Sequence, residues 1–338
     1  MGRSLPLVND APASTSVAVE RTSPRAVRVS LTDRCDLACV YCRPGRDDGY
    51  LERRIDLDAW TTILRGLVAS GVRRVRITGG EPLLHRDVVP FVAKVRSLDV
   101  EDLALTTNAT RLRALARPLR EAGLARLTVS LDTLDTDRFA RMTRGGDLRA
   151  VLAGIDAALG VGFDEIKLNA VVVRGENDDE LHALARFAWD RGITPRFLEV
   201  MAVGEGAKLR DRVVPGDEMR ARLADLVGDD VARTDPDRGP AKYVVSRSDP
   251  TKRVGFITGT SDTFCAGCDR LRVASDGMLR PCLATNDGVH AENEARAGDV
   301  DGVRDALERA WAMKPDGTTW RGCTERSAAS VSIRAIGG

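Results

Sequence analysis

Short apolar runs alternate with longer amphipathic segments from about Val27 to Val203, and this rhythm restricts the fold more than any other feature of the sequence. Short runs rich in Val, Ile and Leu are typical of buried strands, and longer segments with apolar positions three and four apart are typical of helices. The six predicted strands are Val27–Leu31, Arg74–Ile77, Leu103–Thr106, Leu127–Leu131, Glu165–Val173 and Thr194–Met201. Such alternation produces a parallel sheet. Because six units are too few for a closed eight-stranded barrel, the sequence predicts an α/β fold with a partial (β/α)6 TIM-like barrel.

The segments between these strands are predicted to be helices. They are Leu57–Ala69, Asp87–Ser97, Leu112–Ala122, Leu148–Leu159 and Asp178–Asp190. Four of them end close to a glycine, at Gly71, Gly123, Gly160 and Gly192. Glycine is the residue that most often ends a helix, because it adopts the left-handed conformation without strain. These glycines are therefore predicted to be C-terminal caps.

Polar or conformationally special residues occur at or near the C-terminal end of every predicted strand, the edge at which β/α barrels carry their chemistry. In chain order they are the loop from Cys35 to Cys42, Gly79-Gly80-Glu81-Pro82, Thr106-Thr107-Asn108, Ser130-Leu131-Asp132, Lys167 with Asn169, and Glu199 with Met201. Six successive strands bring such groups to one edge of the sheet. The sequence therefore predicts an active site there.

The first strand is followed by three closely spaced cysteines, Cys35, Cys39 and Cys42, with Tyr41 before the third. Cysteine thiolates are the usual ligands of iron–sulfur clusters, and three of them can hold a [4Fe–4S] cluster with one iron open to a further ligand. A zinc site or three unrelated thiols are the alternatives. Structural zinc usually takes four ligands in paired Cys-x2-Cys spacing, which this loop lacks. The spacing favours a cluster that takes part in chemistry.

A second cysteine group, Cys265-x2-Cys268-x13-Cys282, follows a change of pattern after Gly204. The region begins with a predicted helix at Gly216–Leu226 and two β-like runs at Lys242–Arg247 and Arg253–Ile257. A predicted hairpin of Leu271–Ala274 and Met278–Pro281, turning at Ser275-Asp276-Gly277, brings Cys282 back towards the Cys-x2-Cys pair. A zinc ribbon, with Cys323 or a histidine as fourth ligand, is the alternative to a second cluster.

Composition excludes several classes of partner. Lys and Arg number 51 and Asp and Glu 50, so the net charge of +1 gives no reason to expect binding to nucleic acid or to a membrane surface. No stretch approaches the roughly 18 apolar residues of a transmembrane helix. Seven cysteines in a chain with no export signal indicate a reducing compartment and metal or redox chemistry. We therefore expect a cytoplasmic protein.

The joint set of motifs resembles the radical S-adenosylmethionine (SAM) enzymes. The first cysteine group with Tyr41 is similar to their cluster motif, and Gly79-Gly80-Glu81-Pro82 is similar to their SAM-binding motif. Within that superfamily, the chain resembles the GTP 3′,8-cyclases of molybdenum cofactor biosynthesis from about Arg28 to the last residue. This closer likeness rests on Arg28-Val-Ser-Leu-Thr-Asp-Arg34-Cys35, on Cys268-Asp-Arg270-Leu-Arg272, on Leu279-Arg-Pro-Cys282 and on the terminal Ile336-Gly337-Gly338.

The resemblance implies a lyase that converts GTP to (8S)-3′,8-cyclo-7,8-dihydroguanosine 5′-triphosphate. It implies two [4Fe–4S] clusters: the first binds SAM at its open iron and, when reduced, cleaves it to a 5′-deoxyadenosyl radical, and the second holds the guanine of GTP. The radical would remove the ribose 3′ hydrogen, after which C3′ attacks C8 of the base. An electron donor and a downstream cyclic pyranopterin monophosphate synthase are the implied partners, and a homodimer stays open.

Residue roles are carried over from the resemblance position by position. Cys35, Cys39 and Cys42 would hold the SAM cluster, and Cys265, Cys268 and Cys282 the second cluster. The positions matching SAM-binding residues are Tyr41, Gly79, Gly80, Glu81, Ser130 and Met201. The positions matching GTP-binding residues are Arg28, Arg76, Thr106, Lys167, Arg196, Arg270, Leu271 and Arg272. Arginine suits this task because its planar guanidinium matches phosphate in bidentate fashion. The Gly337-Gly338 tail is expected to reach into the active site.

The expected organisation has four parts: a mobile tail (1–24), a radical SAM partial barrel (25–204), a region with the auxiliary cluster (205–322) and a C-terminal tail ending in Gly-Gly (323–338). Departures from the family pattern occur at Arg43, Ala109, Ala202, Gly259 and Asp269, none of which is a predicted cluster ligand. They leave room for a related radical SAM enzyme that acts on another nucleotide. The cysteine spacing leaves a second alternative, a zinc-ribbon binding protein.

Overall fold

The computed structural model describes residues 23–231, 239–262, 264–265, 268–315 and 333. The predicted N-terminal tail up to residue 22, Cys323 and the Gly337-Gly338 terminus lie outside the described residues. Within the described part, no helix is both long and apolar enough to cross a membrane.

Six parallel strands form the centre of the molecule and confirm the predicted α/β partial barrel. They are β1 (Ala26–Ser30), β2 (Arg74–Thr78), β3 (Asp102–Thr107), β4 (Arg126–Ser130), β5 (Glu165–Val172) and β6 (Thr194–Glu199). These strands lie side by side in chain order, each hydrogen-bonded to the next. Their C-terminal ends consequently face the same edge of the sheet, where the predicted site residues were expected.

The helices pack around this sheet. They are α1 (Leu57–Ala69), α2 (Val88–Arg96), α3 (Leu112–Glu121), α4 (Thr136–Met142), α5 (Leu148–Val161), α6 (Leu181–Trp189), α7 (Gly216–Arg222), α8 (Glu292–Ala297) and α9 (Val300–Ala312), with 3-10 turns at Pro82–Leu84 and Gly204–Arg212. The N-terminus of α1 is capped by Asp56, whose carboxylate accepts a hydrogen bond from the Ala59 amide. One predicted cap is wrong: α5 continues past Gly160 and ends at Gly162, which takes the left-handed φ of 79°.

The sheet continues beyond the barrel strands on both sides. On one side β10 (Arg270–Val273) pairs parallel to β1, followed by β11 (Met278–Arg280) and β12 (Val289–His290). On the other side β9 (Arg253–Ile257) pairs parallel to β6, followed by β8 (Lys242–Ser246) and β7 (Val227–Val231). The described strands thus make one open twelve-stranded sheet, and β10 and β11 confirm the predicted hairpin.

The apolar core lies between the sheet and the helices. Trp60 on α1 and Phe91 on α2 are fully buried and meet edge to face, with ring centroids 5.6 Å apart. Burying a large apolar side chain contributes roughly 1.5–3 kcal/mol. Six thiols and a group of arginines line a cavity on the other side of the sheet, so the core fixes the strands and leaves the site free for chemistry.

Candidate active site

A cavity of about 600 Å³ lies against the inner face of the barrel sheet and its C-terminal edge. All six cysteines of the two predicted groups line it, together with residues from β1, β2, β3, β4, β5, β6 and β10. The first group is on the loop after β1, and the second is on the loop before β10 and just after β11. Chain segments more than 200 residues apart in the sequence therefore share one chamber.

The first cysteine loop packs directly on the Gly79-Gly80 turn after β2. The Gly80 amide donates to the carbonyl oxygen of Thr32 at 2.7 Å, and the Glu81 amide donates to that of Arg34 at 2.7 Å. A Cβ atom on Gly80 would stand only 2.3 Å from the Arg34 carbonyl oxygen. Glycine is thus required because the two backbones touch.

Arg43 organises the interior of the same loop, although the sequence marked it only as a departure from the family pattern. Its side chain is buried, and its guanidinium donates to the carbonyl oxygens of Arg46 (3.1 Å) and Asp48 (2.9 Å) and to the hydroxyl of Tyr50 (3.1 Å). The Tyr50 hydroxyl in turn donates to the carbonyl oxygen of Cys35 at 3.1 Å. One side chain thus connects the start and the end of the loop.

We expect Arg43→Met to lower the free energy of unfolding by about 2 kcal/mol, because three partly buried acceptors of the loop would lose their charged donor. Urea unfolding followed by circular dichroism measures this change. Arg53→Met is the matched control, since the Arg53 side chain on the same loop is 78% exposed and its ion pair with Glu292 contributes little. Equal stability of the two variants would contradict the role of Arg43.

Tyr41 attaches the cysteine loop to the opposite strands. Its hydroxyl donates to one carboxylate oxygen of Asp132 at 2.6 Å, and the other oxygen accepts from the Val171 amide at 2.8 Å. Burial raises the pKa of Asp132 to about 6, against the lowering effect of these hydrogen bonds. The loop is therefore fixed relative to the ends of β4 and β5 before any ligand enters.

The thiols of the first group lie in an apolar and acidic environment. Burial, with Glu81 nearby, raises the pKa of Cys35 to about 12, and burial with Asp132 raises that of Cys39 well above its usual range. Coordination to a metal deprotonates a thiol outright. In the described residues, no three thiol, imidazole or carboxylate groups converge to hold a single ion. Thiolates of a four-iron cluster each bind a different iron, so this donor set of three neighbouring thiols fits such a cluster.

The second cysteine group has the opposite electrostatic environment. Burial would raise the pKa of Cys268, but the positive charges of Arg270 and Lys314 and hydrogen bonds from Arg270 lower it to about 6. Burial together with the neighbouring thiols Cys268 and Cys282 raises the pKa of Cys265. Cations next to a thiolate offset the charge of the anionic centre that three cysteines create, so this group also fits an iron–sulfur cluster.

Five arginines line the same cavity as the two cysteine groups: Arg28, Arg76, Arg196, Arg270 and Arg272. Three of them stand in register on adjacent strands, with Arg28 on β1 between Arg272 on β10 and Arg76 on β2. Burial and the four neighbouring arginines lower the pKa of Arg28 well below its usual value. In the described part of the chain, Arg28 has no carboxylate in ion-pair contact. This concentration of positive charge suits a polyanion such as a triphosphate.

Thr128 on β4 joins two of these arginines. Its hydroxyl oxygen accepts from Arg76 at 3.3 Å and from Arg196 at 3.2 Å, and Arg196 also donates to the side-chain oxygen of Asn169 at 2.8 Å. The hydroxyl is deeply buried, with the whole residue 1% exposed. The two guanidinium groups are consequently held in one orientation by these neutral acceptors.

The structure places most of the predicted site residues on the cavity wall. Besides the cysteines and arginines already named, these are Tyr41, Gly79, Gly80, Thr106, Ser130 and Met201. Three predicted residues have other surroundings. Leu271 is buried in the apolar core, because strand alternation directs Arg270 and Arg272 to the cavity and the residue between them away from it. Lys167 is buried in an ion pair with Glu165 at 2.9 Å.

Glu81 is the third predicted site residue whose surroundings differ from the expectation. Its carboxylate is buried and accepts hydrogen bonds from the amides of Leu83 (3.0 Å) and Asn108 (2.7 Å) and from the Thr107 hydroxyl (2.7 Å). Burial raises its pKa to about 7, against the effect of these donors. In this arrangement Glu81 joins the turns after β2 and β3, and the adjacent Gly79 and Gly80 line the cavity instead.

Sequence reasoning missed Thr128, Lys314 and the internal role of Arg43. Thr128 could have been found, since it lies two residues before Ser130 and therefore on the same face of β4. Lys314 follows the last described helix and reaches the second cysteine group only through the packing of α9. No local sequence pattern indicates such a contact.

Comparisons with known proteins agree with this architecture. Residues 29–188 match the model of the radical SAM superfamily, and residues 193–320 match the model named Molybdenum Cofactor Synthesis C. The GTP 3′,8-cyclase of Pseudomonas putida (strain W619) is 40% identical over 296 residues, which cover 86% of this chain and 88% of the relative. The GTP 3′,8-cyclase of Saccharophagus degradans is 39% identical over 297 residues, covering 86% and 89%. The crystal structure of Streptococcus suis SuiB bound to S-adenosylmethionine shares the fold at 18% identity, with a TM-score of 0.62 over 90% of this chain and 68% of that one.

Proposed function

This chain belongs to the GTP 3′,8-cyclases of the radical SAM superfamily, and from that premise we propose that it converts GTP to (8S)-3′,8-cyclo-7,8-dihydroguanosine 5′-triphosphate, the first step of molybdenum cofactor biosynthesis. The observation that carries the proposal is the shared cavity, which both cysteine groups and five arginines line. One chamber can hold a radical source and a nucleotide in contact with each other, which direct hydrogen transfer between the two bound molecules requires.

We assign Cys35, Cys39 and Cys42 to the cluster that binds SAM. When bound, such a cluster supplies an electron and an open iron, which is the chemistry that cleaves SAM. The chain's own contribution is to hold the cysteine loop in place. Arg43 donates to carbonyl oxygens within the loop, Tyr41 donates to Asp132, and the Gly79-Gly80 turn packs on the backbone before Cys35. Gly80, Ser130 and Met201 line the cavity at positions suited to contact SAM.

We assign Cys265, Cys268 and Cys282 to the second cluster, with the guanine of GTP as its further ligand. These thiols line the same cavity as the first group and the five arginines. With the base at the second cluster and the triphosphate on the arginines, the ribose is proposed to face the first cysteine group. We also propose that the Gly337-Gly338 tail reaches into the active site.

The triphosphate is proposed to bind along Arg28, Arg76, Arg196, Arg270 and Arg272. Charge-assisted, bidentate hydrogen bonds to phosphate are the strongest that a side chain makes. Thr128 and Asn169 hold two of these guanidinium groups in place, so their orientation costs no ordering entropy when the nucleotide binds. We also keep Lys167 as a proposed GTP-binding residue, although its ammonium pairs with the Glu165 carboxylate at 2.9 Å in this structure.

We predict that Thr128→Val raises the KM for GTP about tenfold and changes kcat little, since the isosteric side chain removes two hydrogen bonds, worth about 1.4 kcal/mol together, and no reacting group. Steady-state kinetics under anaerobic conditions measure both constants. Thr61→Val is the control, because the Thr61 hydroxyl bonds only to the Leu57 carbonyl within α1. A fall in kcat at an unchanged KM would contradict this role.

Anaerobically reconstituted protein with GTP, SAM and a strong reductant tests the proposal as a whole. We expect about eight irons per chain from two four-iron clusters, together with 5′-deoxyadenosine and a cyclised nucleotide identified by mass spectrometry. In the cell an electron donor would reduce the first cluster, and the product would pass to a cyclic pyranopterin monophosphate synthase. SAM cleavage without consumption of GTP would disprove the substrate and keep the reaction class. Zinc without iron would disprove both.

A further inference from the structure

Lys314 joins the two backbone segments that carry the second cysteine group. Its ammonium donates to the carbonyl oxygen of Arg270 at 2.7 Å and to that of Pro281 at 2.7 Å. Arg270 stands two residues after Cys268, and Pro281 immediately precedes Cys282. A single side chain therefore connects the Cys-x2-Cys loop to the third cysteine.

The hydrogen-bond ladder between the two strands at this place is short. The ladder between β10 and β11 pairs Arg272 with Arg280 and Val273 with Leu279. Pro281 is the residue after β11, and proline has no N–H group with which to continue a ladder. The Lys314 ammonium instead donates to a carbonyl oxygen at the start of β10 and to one just after the end of β11.

The position of Lys314 is fixed by helix packing. Lys314 follows α9, and its amide donates to the Trp311 carbonyl oxygen at 2.9 Å. The α9 helix buries Val303, Leu307 and Trp311. The Lys314 ammonium lies 4.9 Å from the centroid of the Trp311 ring. Lys314 also lines the cavity that holds the cysteines. The side chain thus reaches the site from a rigid element and not from a loose loop.

We propose that Lys314 is a positioning residue for the second cluster: it sets the separation between Cys268 and Cys282 and places a positive charge beside the anionic centre that their thiolates form. This inference rests on the proposed second cluster. The role is specific to one cysteine group, because Lys314 contacts the segments of the second group, whereas Arg43 and Tyr41 hold the first.

The test uses the full-length chain with the first cysteine group removed (C35A/C39A/C42A), so that iron reports on the second group alone. With Lys314 intact, anaerobic reconstitution should give about four irons per chain. Adding Lys314→Met should lower the iron content at least twofold and change the electron paramagnetic resonance signal of what remains. Lys314→Arg keeps the charge and the donors and should restore most of the iron. Lys252→Met, which removes an exposed lysine paired with Asp249, should change nothing.

Two results would overturn the role of Lys314. One is full iron content with an unchanged spectrum in Lys314→Met. The other is an equal loss of iron when Lys314→Met is placed in the complementary background (C265A/C268A/C282A), because this would show general damage to the fold. A parent background that binds no iron with Lys314 intact would disprove the second cluster itself and the inference with it.

Discussion

Replacing Cys39 with alanine will abolish both SAM cleavage and GTP turnover and will lower the iron content from about eight to about four per chain, because only the second cysteine group still holds a cluster. Cys39 is the central thiol of its loop, and its carbonyl oxygen accepts the Cys42 and Arg43 amides that close the turn. Iron analysis and quantification of 5′-deoxyadenosine measure the two effects.

The complementary variant separates the two cysteine groups. Cys268→Ala should also retain about four irons, but it should still cleave SAM slowly while forming no cyclised nucleotide. Cys323→Ala is the matched control, since Cys323 is the one cysteine of the sequence outside both groups, and it should behave as the unmodified chain. Loss of SAM cleavage in Cys268→Ala to the same degree as in Cys39→Ala would contradict the proposed division of roles.

Arg28→Met should act in opposite directions on binding and on stability. The KM for GTP should rise about 100-fold, which corresponds to the roughly 3 kcal/mol of a strong charge-assisted hydrogen bond. In the absence of GTP, the same variant should unfold at a higher temperature than the unmodified chain. Arg28 stands between Arg272 and Arg76 on adjacent strands, and strands lie about 4.8 Å apart, so removing the central charge relieves repulsion.

Thermal unfolding with and without GTP measures the second part of this prediction. GTP should raise the unfolding temperature of the unmodified chain strongly and that of Arg28→Met weakly, because stabilisation by a ligand follows its affinity. Arg53→Met, at an exposed position, should change neither value. If Arg28→Met without GTP unfolds at a lower temperature than the unmodified chain, Arg28 stabilises the fold and the predicted repulsion among the arginines is wrong.

The barrel strands and both cysteine groups could be predicted from the sequence because each is a local pattern. The strands are short apolar runs, and their predicted bounds differ from the observed ones by at most two residues. The surroundings of charged side chains could not be predicted, since they depend on which strands become neighbours. Lys167 is an exception, since its partner Glu165 stands two residues earlier on the same face of β5 and could have been found from strand alternation.

Strand alternation explains a second difference. Leu271 was carried over with Arg270 and Arg272 as one motif, yet consecutive residues of a strand face opposite sides, so the leucine lies in the core. Gly160 was expected to end α5, but the helix continues to Val161 because Gly162 is also available to take the left-handed conformation. The role of Lys314 could not be predicted either, because its contacts join segments that only the folded sheet brings together.

The most direct test of the central claim is anaerobic turnover of GTP that carries deuterium at the ribose 3′ carbon, followed by mass spectrometry of both products. If GTP lies in the shared cavity with its triphosphate on the arginines, 5′-deoxyadenosine should gain one deuterium and the cyclised nucleotide should appear in equal amount. Unlabelled 5′-deoxyadenosine formed without loss of GTP would contradict the claim, because it would show that the two cysteine groups do not act on GTP in one chamber.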